Sequence, residues 1–556
     1  MGSTPLARLP CDCWVQILGY LPKQDLNNLS RVSHDIRDST ELFLYRSIHW
    51  DWTKPPTPKI MALLQTISKR PELADYIWHV SFVCWDPESE QREDYLPRGG
   101  VAGWAKLMMH FQLALEWSRK VVRDAKCPSE LITRWHGALY DGEPHAYAAV
   151  LISQLHNLRS LRLNFSFVLE GGFVGEMLHH SLFGDAPPGA LSRFSKLEMA
   201  DYASNLPSSD FHRNRRSVEA CQFVPWFHLP SLHTLEIWLH NADELVASAP
   251  QTSPRHLNLP NLRRLVIAKT RARPQYIATI LSQLPYLESL HVGLAYNCRA
   301  TADFLWNLER LLPAIQNRGQ SIKHLSLSVE ILPCCRASGL LNPPHEGGKR
   351  FRGFLNKFPK LKSASLPLQF LLGWGSRPLK LRDVLPPTLE ALHISSDLCL
   401  ESDWMLFEYE SLMALELLMR HKERGSHPSL QTFSYHGVHV PDAERGALVT
   451  DEGFYFRYLV KREALNLFCC RQGYSLFPRY SDCANGFMAK SVTLINDVTY
   501  CLPWPFVAVD ELPASMPRYS IFKPARPSNA ASANLNPTDA NPTDANPTDA
   551  NPTEAN

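Results

Sequence analysis

One short hydrophobic pattern recurs from residue 77 to residue 435 and constrains the fold more than any other feature of the chain. Each copy contains an apolar residue, two variable residues, an apolar residue, one variable residue and a third apolar residue. The copies are Ile77–Val80–Phe82, Leu158–Leu161–Leu163, Phe194–Leu197–Met199, Leu232–Leu235–Ile237, Leu262–Leu265–Ile267, Leu287–Leu290–Val292, Ile322–Leu325–Leu327, Leu361–Ala364–Leu366, Leu389–Leu392–Ile394, Leu412–Leu415–Leu417 and Leu430–Phe433–Tyr435.

Each copy predicts one β-strand. Its last two apolar positions are two residues apart, so they share one face of an extended chain. The proline that opens several copies disfavours helix at the residue before it, and segments such as PQYIATILSQLP between copies are compatible with helix. A strand and a helix that repeat predict an α/β fold of parallel strands with outer helices, stacked because no unit buries its faces alone. The alternative is an ordinary α/β domain whose buried strands look alike.

The pattern resembles a leucine-rich-repeat array. The copies are unevenly spaced, and Ser166, His240 and Thr270 stand where such repeats usually carry Asn or Cys. The resemblance therefore implies an irregular, partly opened solenoid, with an extended surface suited to a protein target.

The first fifty residues predict a unit of three short helices. Asp12 can cap the first helix, Pro22 ends it, and Asp25 begins the second. One apolar stripe of the first helix contains Trp14, Ile17, Leu18 and Leu21. A unit this small buries too little surface to be stable alone. Some of its apolar surface must be covered by the rest of the chain or by a partner protein.

This segment also carries an ordered set of motif residues. They are Leu9–Pro10, Asp12, Ile17–Leu18, Tyr20–Leu21–Pro22, Asp25–Leu26, Leu29–Ser30–Arg31–Val32, Arg37 and Leu44–Tyr45–Arg46–Ser47–Ile48. In order and spacing they resemble the F-box motif, most closely that of F-box proteins of filamentous fungi. Asp12, Cys13 and Trp14 depart from the usual Glu-Ile of the first helix.

The F-box resemblance implies docking onto the Skp-family adaptor of a cullin-RING (SCF) ubiquitin ligase. It implies that the adaptor is bound by the apolar motif positions, which are Leu9, Pro10, Ile17, Leu18, Leu21, Pro22, Leu26, Leu29 and Val32. The alternative is that these side chains form only the core of the domain that follows.

Five regions are predicted along the chain. They are an F-box at 1–50, a helical linker with the first repeat strand and an insertion at 51–155, the repeat solenoid at 156–440, a C-terminal cap at 441–515 and a disordered tail at 516–556. The tail repeats NPTDA from Asn536 and contains no large apolar residue there, so it cannot offset the entropy of ordering. Residues 201–228 are predicted to be a surface loop, and WAKLMMHFQLALEWSRKVVRDA an amphipathic helix.

Composition predicts a cytoplasmic or nuclear chain that binds neither nucleic acid nor membrane. The 57 basic and 55 acidic residues nearly balance, which gives no electrostatic reason for nucleic-acid binding. No apolar run is long enough to span a bilayer, and the N-terminus has no signal-peptide core. The 13 cysteines include no C-x-x-C pair, which is typical of reduced thiols in the cytosol rather than of a metal or disulfide framework.

The chain contains no known catalytic signature that would make it an enzyme. It has no H-E-x-x-H, no G-x-S-x-G and no G-x-x-x-x-G-K-[ST], so no cofactor or metal is expected. Together with the resemblance, this predicts a non-catalytic substrate receptor that holds an unknown protein target. Two alternatives stay open: an interaction scaffold without a ubiquitination role, and an α/β hydrolase whose Ser, His and Asp converge only in space.

Overall fold

The repeated pattern builds one thirteen-stranded sheet within the part of the chain that the structure describes. This computed structural model describes residues 11–83, 109–205, 218–239, 257–297, 311–332, 354–367, 370–371, 384–395, 429–430, 432–439, 475–482 and 488–495. The strands are β1 Ser47–Asp51, β2 His79–Val83, β3 Ser160–Leu163, β4 Met199–Tyr202, β5 Thr234–Trp238, β6 Arg264–Thr270, β7 Ser289–Asn297, β8 His324–Leu332, β9 Ser363–Pro367, β10 Ala391–Ser395, β11 Thr432–His439, β12 Ser475–Asp482 and β13 Met488–Ile495.

The sheet follows the order of the chain. Each strand from β1 to β10 pairs in parallel with the next one, up to β11. At the far end β11 pairs antiparallel with β13, and β13 pairs antiparallel with β12. The predicted final strand, KSVTLIND, lies largely within β13.

Three of the described helices precede β1, and the others lie between strands. The helices are α1 Cys11–Tyr20, α2 Lys23–Leu29, α3 His34–Tyr45, α4 Thr57–Lys69, α5 Glu72–Asp75, α6 Gln112–Asp124, α7 Ser129–Tyr140, α8 Pro144–Ser153, α9 Ser166–Leu169, α10 Phe173–Phe183 and α11 Pro274–Ser282. Helix α8 contacts α4 and α10, and all ten of its residues are buried, as expected for a helix that is apolar on every side. Helix α6 confirms the predicted helix within its described part.

One face of the parallel strands forms the core together with the helices. In β3, Leu161 and Leu163 are fully buried, whereas Ser160 and Arg162 are only partly so, which is the alternation of a strand with one covered face. Neighbouring strands align these rows, because the β-sheet register places Val80 beside Leu161. One continuous core contains the inward rows and the buried residues of the helices that follow β1. The predicted parallel strands with helices are therefore confirmed.

The third copy of the pattern lies three residues later than the sequence predicts. Leu161 lies beside Ala200, and Leu163 beside Tyr202, so the third copy is Leu197–Ala200–Tyr202. All three of its side chains are fully buried. The Tyr202 ring fills the inward position by stacking on Trp226, with ring centroids 4.8 Å apart. Phe194–Leu197–Met199 has the same spacing, so the pattern alone does not distinguish this copy from an assignment three residues earlier.

An additional copy precedes the eleven that were predicted. Ile48 lies beside Val80 and Trp50 beside Phe82, so Tyr45–Ile48–Trp50 has the spacing of the repeat. These residues also end the F-box-like motif. Strand β1 therefore crosses the predicted boundary at residue 50, and the third helix of the N-terminal unit leads directly into the first strand of the sheet.

The described parts of the predicted loop 201–228, which are residues 201–205 and 218–228, do not form a simple surface loop. Residues 201–202 belong to β4, and two 3-10 helices occupy Ala220–Gln222 and Val224–His228. Phe223 and Phe227 in this segment are buried, so aromatic side chains anchor it to the core. The predicted copy at 412–417, the NPTDA tail and most of the predicted cap lie outside the described residues. No described helix is both long and apolar enough to cross a bilayer.

Candidate functional site

The N-terminal unit consists of helices α1, α2 and α3, and local sequence explains their ends. Pro22 lies between α1 and α2 in an extended conformation, which a proline favours. Ser33 caps α3, because its hydroxyl accepts a hydrogen bond from the Ile36 N–H at 3.3 Å. The predicted three-helix unit is therefore present, although α2 begins at Lys23 rather than at Asp25.

Two of the predicted adaptor-binding residues lie inside this unit. Leu18 and Leu26 are only 1% and 3% exposed. They lie apart from the continuous core of the sheet, which begins at Ile48. Both side chains face the interior of the unit in this conformation, and their contact with an adaptor stays a prediction. Leu18 and Leu26 stabilise the packing within the three-helix unit.

Other predicted residues face solvent. Ile17 is 41% exposed and Val32 66%, Pro22 is exposed, and Leu21 and Leu29 are half-buried. Leu9 and Pro10 lie outside the described residues. The exposed apolar set of the unit comprises Val15, Ile17, Tyr20, Val32 and Leu42. These exposed apolar side chains are available for contact with a partner protein.

Val15 and Leu42 were missed as candidate binding residues. Neither belongs to the stripe of Ile17 and Leu21 nor to the adaptor positions of the motif, so no pattern singled them out. Each is more than 40% exposed. Only the packing of the helices shows which apolar side chains remain uncovered.

An ion-pair cluster ties α3 to the segment that follows α4. The Arg70 guanidinium donates two hydrogen bonds to the Glu41 carboxylate, at 2.8 and 2.7 Å. Arg37 donates a third at 2.9 Å, and Arg70 also bonds Glu72 at 2.8 Å. The Glu41 side chain is only 5% exposed, and its hydrogen bonds from Arg70 lower the pKa of the carboxyl. The cluster therefore holds the three-helix unit against the start of the sheet region.

We expect Glu41→Gln to lower the free energy of unfolding by about 1–2 kcal/mol at pH 7, a modest value because both arginines are more than one-third exposed. The native pKa of Glu41 lies below its unfolded value, so its contribution is present above the unfolded pKa and is lost as pH falls through the native one. The difference between wild type and variant should therefore shrink between pH 7 and pH 3 in urea unfolding.

The control is Asp124→Asn, which breaks the exposed Lys120–Asp124 pair on α6 and should cost almost nothing at either pH. If Glu41→Gln lowers the free energy of unfolding equally at pH 7 and pH 3, the charge of Glu41 does not stabilise the fold.

A second cluster brings together the residue types of a serine hydrolase. His145 Nδ1 lies 2.7 Å from Glu143 Oε1, and His145 Nε2 lies 3.1 Å from Ser166 Oγ. The Trp52 indole N–H donates to the same Nε2 at 3.0 Å. An indole N–H can only donate, so Nε2 is an acceptor and Nδ1 carries the proton towards Glu143.

This cluster is built to support the fold rather than to attack a substrate. The Nε2 lone pair already accepts from Trp52, so it is not reserved for the Ser166 proton as a general base requires. His145 and Ser166 are 1% and 5% exposed, and the Phe167 ring lies against the imidazole, with centroids 4.9 Å apart. The cluster joins the segment after β1 to α8 and α9. Sequence reasoning gave no signal for it, because its members belong to no motif.

We expect Ser166 to be unreactive towards a fluorophosphonate probe in the folded protein, because its hydroxyl is buried and lacks a dedicated base. Labelling followed by peptide mass spectrometry measures this, with a serine esterase as the positive control. Stoichiometric labelling of Ser166 that is lost in His145→Ala would instead identify a hydrolase.

The described part of the chain shows neither a cluster of metal ligands nor an activated thiol at Cys127. No group of three or more His, Cys, Asp or Glu side chains there could hold a metal ion. Burial raises the pKa of Cys127 to about 11, so this thiol stays protonated at neutral pH and is a poor nucleophile.

Comparison with known protein families agrees with the geometry of the N-terminal unit. Residues 6–49 match the family model described as F-box-like, a range that includes α1, α2, α3 and the first residues of β1. No curated protein matches the chain. The N-terminal unit is thus an F-box-like domain. Such domains generally bind Skp-type adaptors, and the proteins that carry them are typically non-catalytic.

Proposed function

Residues 6–49 form an F-box-like domain, and from this we propose that the chain is the substrate-recognition subunit of an SCF-type (cullin-RING) E3 ubiquitin ligase in the cytoplasm or nucleus. The domain docks on the Skp-family adaptor and, through it, on a cullin. The sheet region, which we take to be a leucine-rich-repeat-like solenoid, binds a protein target.

The exposed apolar set on the F-box-like domain carries this proposal. The domain buries Leu18 and Leu26 but leaves Ile17 and Val32 in water. Burying a large apolar side chain is worth roughly 1.5–3 kcal/mol, so a partner that covers several of them gains substantial affinity. A family match and an uncovered apolar surface in the same forty residues support adaptor binding together.

The face of the sheet opposite the core supports the second half of the proposal. Along five neighbouring strands its aligned residues are mostly polar: Arg162 on β3, Asp201 on β4, Glu236 on β5, Val266 on β6 and His291 on β7. A sheet of many parallel strands offers an extended surface of this kind, and a stable protein contact needs on the order of 1,600 Å². Such a face suits a protein target better than a small molecule.

The proposed mechanism is proximity rather than chemistry. One end of the chain is fixed to the ligase while the sheet holds the target, which raises the effective concentration of the target near the charged ubiquitin carrier. No residue of this chain then needs to form or break a bond.

Co-purification with a recombinant Skp-family adaptor tests the proposal. We expect the full-length chain to recover the adaptor in a buffer in which a known F-box protein does so. Failure to recover it under those conditions would contradict the ligase assignment. Recovery of the adaptor without ubiquitination of any bound protein would indicate that the chain is a non-catalytic scaffold.

A further inference from the structure

Strand β1 is flanked by positive charges at both of its ends. Among the described strands it pairs with β2 alone, so one of its edges faces away from the sheet. Lys23 and Arg46 lie at its amino end, where the Lys23 ammonium donates to the Ser47 carbonyl. Lys54 and Lys59 follow its carboxyl end, and all four side chains are exposed.

At the amino end, two arginines stack on one indole. The guanidinium carbons of Arg46 and Arg159 lie 4.6 and 4.5 Å from the Trp78 ring centroid. Among described carboxylates, Glu198 lies 3.9 Å from Arg159, whereas Arg46 forms no described ion pair. The nearby His79 responds to burial and to both arginines with a lowered pKa. The amino end of β1 is therefore a positively charged surface with an aromatic centre.

At the carboxyl end, an open cleft of about 500 Å³ adjoins the strand. One face of the Trp50 indole stacks on Phe82, with centroids 5.0 Å apart and planes within 5°, and Trp50 also lines the cleft. Pro56, Lys54 and Lys59 line it as well. The Asp51 carboxylate in its wall accepts hydrogen bonds from Thr53, at 3.0 and 2.7 Å. The cleft thus combines an aromatic wall with two ammonium groups.

We propose that an acidic, extended segment of the target protein binds along β1, with an apolar side chain against Trp50 and carboxylates near Arg46 and Lys59. This inference rests on the proposed function, since it names the kind of target segment that the receptor holds. The five residues of β1 span roughly 16 Å at about 3.3 Å per residue. The segment therefore carries its acidic groups about five residues apart, with the apolar residue between them.

Charge complementarity selects this occupant. Lys54 and Lys59 outnumber the Asp51 carboxylate at one end of the strand, and Lys23 and Arg46 lie at the other. The site therefore favours carboxylates and disfavours basic segments, because like charges brought together cost several kcal/mol. Trp50 and Pro56 provide apolar contact area in the middle of the site, which an acidic segment lacking an apolar residue would leave unused.

A phage-displayed random 12-residue peptide library, panned on the immobilised full-length protein, tests the proposal. We expect enrichment of peptides in which two acidic residues flank an apolar one. In fluorescence polarisation with an enriched peptide, Lys59→Glu and Arg46→Glu should each weaken binding at least tenfold, which corresponds to about 1.4 kcal/mol. Lys69→Glu, a charge reversal at the other end of α4, is the matched control and should change binding less than about twofold.

Several results would overturn the inference. These are no enrichment, enrichment of basic peptides, and equal loss of binding in Lys59→Glu and Lys69→Glu. A synthetic peptide of residues 536–556, the acidic NPTDA segment, serves as a second probe; if it binds more tightly than the enriched peptides, the occupant is the chain itself. Adaptor recovery by Lys59→Glu should equal that of wild type, so a failure of adaptor docking is distinguished from a failure at β1.

Discussion

The affinity of the chain for the Skp-family adaptor should fall at least about 100-fold when Ile17 and Val32 are both replaced by glutamate. Both side chains are largely exposed, at 41% and 66%, so the substitutions should change stability by less than about 1 kcal/mol in total. In the complex, each would place an unpaired carboxylate in a desolvated apolar contact, which is costly. Affinity for purified adaptor, measured by calorimetry, gives the effect.

The control for this prediction is Tyr286→Glu, which places the same charge on an apolar side chain that is 65% exposed but lies far along the chain from the F-box-like domain. It should bind adaptor as wild type does. Unchanged affinity in the Ile17→Glu, Val32→Glu variant would show that the exposed apolar set is not the docking surface.

The choice of these two positions depends on the structure. The sequence motif predicts that both Leu26 and Ile17 bind the adaptor, yet Leu26 is only 3% exposed. A charge at Leu26 would disrupt the packing of the three helices and abolish binding by unfolding them. Loss of adaptor in such a variant would therefore say nothing about where the adaptor binds.

Trp52→Ala should lower the free energy of unfolding by about 4 kcal/mol, the largest stability effect that we expect from one substitution. Trp52 is fully buried, stacks on Phe82 with centroids 5.0 Å apart and lies 4.6 Å from the Phe167 ring. Removing it leaves a cavity beneath β1 and β2. It also removes the indole N–H that donates a hydrogen bond to His145 Nε2. Urea unfolding followed by circular dichroism measures the loss.

Trp52→Phe separates the two contributions. It keeps most of the ring volume and removes only the indole N–H, so we expect a smaller loss of about 1–2 kcal/mol. A Trp52→Ala variant whose free energy of unfolding lies within about 1 kcal/mol of wild type would contradict the packing described around Trp52.

The position of β1 complicates the interpretation of truncation experiments. Removal of residues 1–50 would delete four of the five residues of β1, uncover the edge of β2 and remove Trp50 from the face of Phe82. Such a truncation would damage the sheet as well as remove the F-box-like domain. Point substitutions in the exposed apolar set avoid this problem.

The strands were predictable where the repeat carries large aliphatic residues. The last two positions of Leu232–Leu235–Ile237 and of Leu262–Leu265–Ile267 lie on β5 and β6 as expected, because alternation on one covered face leaves a clear signal. The prediction failed at β4, where Ala200 and Tyr202 fill the inward positions by combining a small and a large side chain. The sequence does not predict β1, because Ser47 and Ile48 also fit the end of the F-box-like motif.

The candidate site was predictable only as a set of residue types. The stripe on α1 showed that Ile17 and Leu18 are apolar, but adjacent residues on a helix point about 100° apart, and only tertiary packing decides which of them faces the unit's interior. The Glu41–Arg70 cluster joins residues 29 positions apart and has no local signature. Contacts between distant segments determined both the buried and the exposed parts of the site.

Hydrogen–deuterium exchange of the full-length chain, with and without saturating adaptor, tests the central claim most directly. Amides covered by a partner exchange more slowly. We expect added protection in residues 11–45, which form α1, α2 and α3, and unchanged exchange in β3 to β10. Absence of protection in residues 11–45, or protection confined to the sheet, would contradict adaptor docking on the F-box-like domain.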